Sequence, residues 1–282
     1  MSEFKIAVAQ MDCVPGDVAA NLERAEAFVA SAARQGARIV VAPECATTGY
    51  FVKGDIRDLA EPIPGPTTQR LEEIARRQGT YVVIGVVERD GNTCYNASVL
   101  ISPRQGLLGR YRKVHLFSAE KKVFAPGEEP AIFDTEFGRI ALTICYDLVF
   151  PEYIRSLVLR GATLILNSTD WITDDWQSKR GWSGDVVSAL AATRALENTV
   201  HVAMADRTGI EGGWKCLGHS CVAAPSGAYL ARIEEGEGLA IATISLDSPE
   251  WERWRGIATY LPDRRVDLYK RLQGWPVGSR RS

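Results

Sequence analysis

The chain has 282 residues, of which 46% are hydrophobic and 24% charged, with 33 Lys and Arg against 35 Asp and Glu and a formal net charge of −2. That length lies near the upper end of what one hydrophobic core supports, and the composition excludes disordered, collagen-like and coiled-coil classes. The even charge balance excludes a dedicated nucleic-acid binder, and apolar runs such as Tyr81–Val87 are far too short to span a bilayer.

In chain order, the amino terminus carries an acid at its third position and turns directly into a strand-like run, Lys5–Ala9. It lacks the basic start and long apolar stretch of a secretory signal. The six cysteines have no tight spacing, so the chain reads as cytoplasmic with reduced thiols. Asn21 is a candidate cap for a helix whose Leu22, Ala25, Phe28, Val29 and Ala32 share an apolar face, with Gly36 closing it. A strand at Arg38–Ala42 follows, then helical spacing through Leu71, Ile74 and Ala75 up to Gly79. Further strands are expected at Tyr81–Val87, Tyr95–Ile101, Arg139–Ile144, Thr163–Leu166, Val200–Ala205, Cys216–Ala223 and Leu239–Ile244, with a helix over Asp185–Leu196. The strand runs are almost wholly apolar, as expected for an α/β protein whose two sheets pack face to face beneath outer helices. No linker or repeat divides the chain, so one domain over 1–282 is expected, with a core at about 4–248. The arm at about 249–282 mixes aromatic residues with Arg264, Arg265, Lys270, Arg271, Arg280 and Arg281, and reads either as a solvated tail or as an arm docked on a partner subunit.

Three segments carry candidate chemistry. In Arg139–Glu152 an apolar strand ends at Cys145, a turn follows, and Pro151 with Glu152 marks the first turn of a helix. Reactive groups in α/β folds collect beyond the carboxyl ends of strands, and backbone N–H groups at such a turn favour a thiolate. A buried, inert cysteine is the alternative; Cys13, Cys45, Cys94, Cys216 and Cys221 lack this setting. A thiol nucleophile needs a base and a group to steady the oxyanion. Glu44 ends the run Ile39–Glu44, where burial raises a carboxyl towards the range of a useful base, and Lys113 can supply a fixed positive charge. Taken singly, each also fits a surface residue near a strand end. His201, at a strand start, reads as structural. His219, between Cys216 and Cys221, lacks the second ligand pair of a structural zinc site. The sequons at Asn96 and Asn167 are without consequence in a chain that is not secreted. Trp171, Trp176 and Trp182 either form a ring-binding surface or pack over a pocket.

Together, Pro43-Glu44 with Thr48-Gly49-Tyr50, then Arg112–Phe117 with Glu120 and Pro126-Gly127, then Cys145-Tyr146-Asp147 with Phe150-Pro151-Glu152, resemble the nitrilase superfamily of carbon–nitrogen hydrolases. Arg194–Asn198, Gly218–Ser220 and Pro225–Gly227 extend the likeness in order to about Leu261. The resemblance implies a four-layer α-β-β-α sandwich with a C-terminal extension, paired into a homodimer or a higher homo-oligomer. It implies Cys145 as nucleophile and Glu44 as general base and acid, with Lys113 and the backbone N–H of Tyr146 at the oxyanion. Glu120 matches a second glutamate that positions the substrate nitrogen, and Tyr50, Tyr146, Val149 and Trp171 fall where the pocket is lined. Neither metal nor organic cofactor is implied, and water is the second substrate. Nitrile-preferring members tend to carry Trp-Glu after the cysteine, whereas this chain has Tyr146-Asp147, which favours an amide. Branches acting on ω-amides often carry Arg where Val149 stands, and a branch similar to aminoamide hydrolases carries an acid there and ends like Tyr260–Arg264. The expectation is therefore an amidase for a small neutral aliphatic amide. An ω-amino amidase belongs to the same leading expectation; the alternatives are an N-carbamoyl amide hydrolase or nitrilase, and a non-catalytic binding member, against which the intact set of four catalytic-type residues counts.

Overall fold

The computed structural model describes residues 3–272; Arg280 and Arg281 of the expected basic arm lie outside them. The chain opens with β1 (Phe4–Gln10), α1 (Val18–Arg34), β2 (Ala37–Val41), α2 (Pro66–Gln78), β3 (Tyr81–Asp90), β4 (Thr93–Ser102) and β5 (Gly106–Arg112). It continues through β6 (Ala131–Thr135), β7 (Gly138–Ile144), α3 (Pro151–Leu159), β8 (Leu164–Thr169), β9 (Ile172–Thr173), α4 (Asp175–Ser178), α5 (Gly184–Asn198) and β10 (His201–Asp206). The last elements are β11 (Ile210–Glu211), β12 (Trp214–Cys216), β13 (Cys221–Ala223), β14 (Tyr229–Arg232), β15 (Gly238–Ile244), α6 (Pro249–Ile257) and α7 (Val266–Leu272).

Two six-stranded sheets form, in the orders β15-β1-β2-β3-β4-β5 and β14-β13-β10-β8-β7-β6. Their centres are parallel (β1, β2 and β3; β7, β8 and β10) and their flanks antiparallel. Across the interface β1 meets β10, β3 meets β8 and β4 meets β7. The period of two explains the layering. Ile6, Val8, Ile39, Val41 and Val83 point into the core shared with the second sheet. Their neighbours Ala7, Ala9, Val40, Val82 and Ile84 meet Ala25, Val29 and Ala32 of α1 and Leu71, Ile74 and Ala75 of α2. On the far side Ile154 and Leu157 of α3 and Val187, Ala191 and Ala195 of α5 cover the second sheet. The result is the expected four-layer α-β-β-α sandwich.

The helix starts differ in one detail. Asp17, not Asn21, caps α1, accepting from the Ala20 N–H at 3.0 Å. Asn21 is buried inside the helix, where its amide bonds backbone groups outside it: the Val14 N–H at 2.7 Å and the carbonyls of Val14 and Thr47 at 2.9 and 3.1 Å. The segment expected as one strand over Cys216–Ala223 splits into β12 and β13, because Gly218 and His219 turn left-handed with φ of 67° and 61°. The start of the arm docks on this chain's own core: Arg255 donates to the Leu246 carbonyl at 2.9 Å and Trp251 lies edge-on to His201. Among the described residues no helix is long and apolar enough to cross a membrane.

Candidate active site

The site lies beyond the carboxyl ends of β2, β7 and β8. Strand β7 ends at Ile144, and Cys145 opens a 3-10 turn over Cys145–Val149 with φ of 44°. A cysteine held in that sparsely populated region needs support from its surroundings. Asp147 supplies part of it. One carboxylate oxygen accepts from the Ile144 N–H at 2.9 Å and from the Tyr111 hydroxyl at 2.7 Å, and the other accepts from the His115 N–H at 3.1 Å. From α5 the buried Arg194 donates to the carbonyls of Leu148 and Val149 at 2.6 and 3.2 Å. Pro151 then starts α3 at a position that needs no N–H partner.

Glu44 sits on the turn that follows β2. The turn rests on β3 at Gly85, where a Cβ would collide with the Cys45 nitrogen and the Glu44 Cα. Glu44 is 1% exposed, and the charges around it are close-packed. Its Oε1 accepts from Lys113 Nζ at 2.7 Å and from Asn96 Nδ2 at 2.6 Å, and its Oε2 accepts from the Asp170 N–H at 3.1 Å. Lys113, also 1% exposed, donates to Glu120 Oε2 at 2.8 Å as well. Asn96 donates to Glu120 Oε1 at 2.7 Å, and Glu120 Oε2 accepts from the Phe117 N–H at 2.6 Å. An ammonium has three donors, and two of those on Lys113 are used, which leaves one for another acceptor. Of the roughly four lone-pair directions on the Glu44 carboxylate, three are occupied, which leaves one on Oε2 to take a proton.

The electrostatics suit proton transfer. Burial, reinforced by the Glu120 and Asp170 charges and opposed by Lys113, pushes the Glu44 carboxyl up to about 7. Burial and then the Glu44 charge push the Cys145 thiol well above its ordinary value, against the pull of Lys113 and the Thr169 hydroxyl. Burial alone would lower the Lys113 ammonium, but Glu44, Cys145 and Glu120 together hold it well above its ordinary value. The thiol thus rests protonated beside a carboxylate tuned near neutrality and a permanent cation. All six cysteines are free and buried; Cys145 combines a left-handed backbone with a cavity wall.

That cavity has a volume of about 650 Å³. It is lined by Glu44, Lys113 and Cys145, by Tyr50, Tyr146, Val149 and Trp171, and by Phe51, Phe117, Ser118, Ala119, Asp170, Ile172, Gln177, Trp182 and Trp214. Seven of the eight site residues read from the sequence therefore line one cavity, and the eighth, Glu120, stands behind Lys113. Trp176 is 61% exposed and stacks under Arg180 rather than joining Trp171 and Trp182 at the cavity. His219 Nδ1 lies 2.9 Å from the Leu217 carbonyl.

Several residues escaped the sequence reading. Asn96, set aside as an idle sequon, bridges the two glutamates; the signal was an amide inside the expected strand Tyr95–Ile101. Asp170 supplies the N–H on Glu44, and its side chain meets the fully buried Arg207 at 3.4 Å. Arg207 also pairs with Glu211, whose carboxylate accepts from the Tyr50 N–H at 3.0 Å, and with Asp12 at 3.3 Å. Only the fold brings these four segments together.

Residues 5–255 match the carbon–nitrogen hydrolase family model. A protein from Pyrococcus abyssi described as a nitrilase is 35% identical over 272 residues, covering 95% of this chain and 99% of its own. The human omega-amidase NIT2 is 32% identical over 283 residues, covering 95% and 98%. The solved structure of a double mutant of the amidase from Nesterenkonia sp. AN1, in complex with acrylamide, superposes with a TM-score of 0.79 at 29% identity, covering 96% of this chain and 97% of the other. Another mutant of that amidase carries the acetamide moiety of fluoroacetamide covalently added at its active-site cysteine, again with a TM-score of 0.79 at 29% identity. A match along nearly the whole length of the chain, to the family model and to relatives alike, makes this protein a carbon–nitrogen hydrolase of the nitrilase superfamily.

Proposed function

We propose that this protein is an amidase that hydrolyses a small neutral amide to a carboxylic acid and ammonia through a thioester on Cys145. The observation that carries the reading is the joint placement, around one cavity, of the Cys145 thiol, the buried Glu44 carboxyl and the Lys113 ammonium with one uncommitted donor. Glu44 takes the Cys145 proton as the sulfur bonds to the amide carbon, and the carbonyl electron pair moves onto oxygen. The oxyanion is met by the third N–H of Lys113 and by the backbone N–H of Tyr146. When the carbon–nitrogen bond breaks, the leaving nitrogen takes the proton from Glu44 and departs as ammonia. Water then attacks the thioester with Glu44 as base, and the acid leaves as the thiol regains its proton. Splitting one hard displacement in two and moving protons through a positioned base together supply the acceleration. Glu120 acts one bond away from the chemistry by holding Lys113 and Asn96.

A neutral acyl group fits the wall better than an ω-carboxylate, despite the omega-amidase relatives. Among the described lining residues Lys113 is the cation, and it already faces two glutamates. Val149, 38% exposed on the cavity wall, offers nothing to compensate a charge. The test is ammonia release from propionamide, glutaramate, 5-aminopentanamide, a carbamoyl amino acid and propionitrile. Propionamide turnover that vanishes in Cys145→Ala supports the reading. Carbon dioxide release from the carbamoyl compound, or preferential consumption of the nitrile, replaces it with a sister reaction.

A further inference from the structure

We infer that the acyl group this site selects carries an aromatic ring, so that arylacetamides are better substrates than the short aliphatic amides that define the basic reaction. The inference rests on the amidase reading and concerns the part of the cavity that the reacting atoms do not use. At about 650 Å³ the cavity falls within the range of roughly 300–1,000 Å³ that encloses drug-sized ligands, and propionamide would leave most of it to water.

The walls of that extra space are rings. Phe117 and Tyr146 stand edge to face with centroids 5.1 Å apart, Trp171 and Trp182 do the same at 5.7 Å, and Trp214 lines the same cavity. These rings are held before any ligand arrives. Trp182 Nε1 donates to the Ile172 carbonyl at 2.9 Å, the backbone N–H of Trp171 donates to Asp206 Oδ1 at 2.9 Å, and Tyr146 stands edge-on to Phe150 at 5.1 Å. Pre-set walls cost little ordering on binding, and edge-to-face contacts reward a ring beyond its buried area. Charge excludes the other occupants. The cavity carboxylates, Glu44 and Asp170, oppose an anionic acyl group, and each is already paired with a cation, Lys113 and Arg207 respectively. The aromatic walls themselves carry no carboxylate to hold an ammonium tail.

The experiment compares kcat/KM for phenylacetamide, hexanamide, propionamide and 5-aminopentanamide. Phenylacetamide is expected to exceed both propionamide and hexanamide, the former by at least about tenfold, since a single well-packed apolar group is worth that much in discrimination. In Trp182→Ala the phenylacetamide-to-propionamide ratio is expected to fall about tenfold, and Trp182→Phe is expected to restore most of it. Phenylacetamide at or below propionamide, 5-aminopentanamide as the best substrate, or a ratio unmoved in Trp182→Ala overturns the inference while leaving the amidase reading intact. Native, folded protein that releases ammonia from none of the four overturns the amidase reading instead.

Discussion

Arg207→Met removes the cation on which three acids converge, and its cost can be worked from the structure. The guanidinium is fully buried and meets Asp170 at 3.4 Å, Asp12 at 3.3 Å, Glu211 and the Cys13 carbonyl. The Asp170 and Glu211 side chains are only 1% exposed, so neither regains water when the partner is lost. Breaking one side of a buried ion pair costs about 3–5 kcal/mol, because the remaining charge is left uncompensated. Against a typical total of about 5–15 kcal/mol this is severe, and at about 2–4 °C per kcal/mol it lowers the melting midpoint by about 10 °C. Urea and thermal unfolding followed by circular dichroism measure it. The reasoning also predicts coupling: Glu211→Gln in the Arg207→Met background should cost about 1–3 kcal/mol less than the sum of the single changes. A single-mutant cost below about 1 kcal/mol, or strict additivity in the double mutant, would refute it. Turnover should fall with stability, because Asp170 presents the N–H that fixes Glu44 and Glu211 holds the Tyr50 backbone.

Further outcomes follow from the site. If Glu44 must be ionised to accept the thiol proton, log kcat/KM rises with unit slope below about pH 7 and flattens above it, since a base with a raised pKa works only after it deprotonates. A profile flat from pH 5 to 8 contradicts that assignment. Glu120→Ala removes one of the two carboxylates on Lys113 and leaves Asn96 half-partnered, so kcat is expected to drop about 10²-fold with the fold retained; unchanged turnover would reduce Glu120 to packing. Val149→Arg adds a cation to the cavity wall and should raise the glutaramate-to-propionamide ratio of kcat/KM about tenfold, through a charge-assisted bond to the carboxylate. An unmoved ratio would remove residue 149 from substrate selection.

The apolar inner strands and the outer helices were legible from the sequence because burial on both faces leaves an unbroken β-branched run, as in β2 and β3. β5, β6 and β14 were not, since each is a sheet edge with one neighbour and keeps polar or glycine positions that blur the pattern. Glu44 and Cys145 could be singled out because each ends such a run, whereas Lys113 follows the edge strand β5 and stood out only through the motif Arg112–Phe117. Asn96 carried a signal as an amide inside a strand, and its sequon masked it. Asp170, Arg207 and Glu211 come from the far ends of β8 and β10 and from β11, and no local pattern marks an arginine that becomes fully buried only through tertiary contacts. Cys216–Ala223 read as one strand because hydrophobicity does not register a left-handed turn at a histidine.

The central claim is that the acyl group resides on Cys145 during turnover. Rapid acid quench of the enzyme with propionamide, followed by intact mass and peptide mapping, tests it most directly. The account predicts one added propionyl group, on the peptide containing Cys145, labile to hydroxylamine and absent in Cys145→Ala. Turnover of propionamide with no adduct on that peptide at any quench time, or an adduct on another residue, would contradict it.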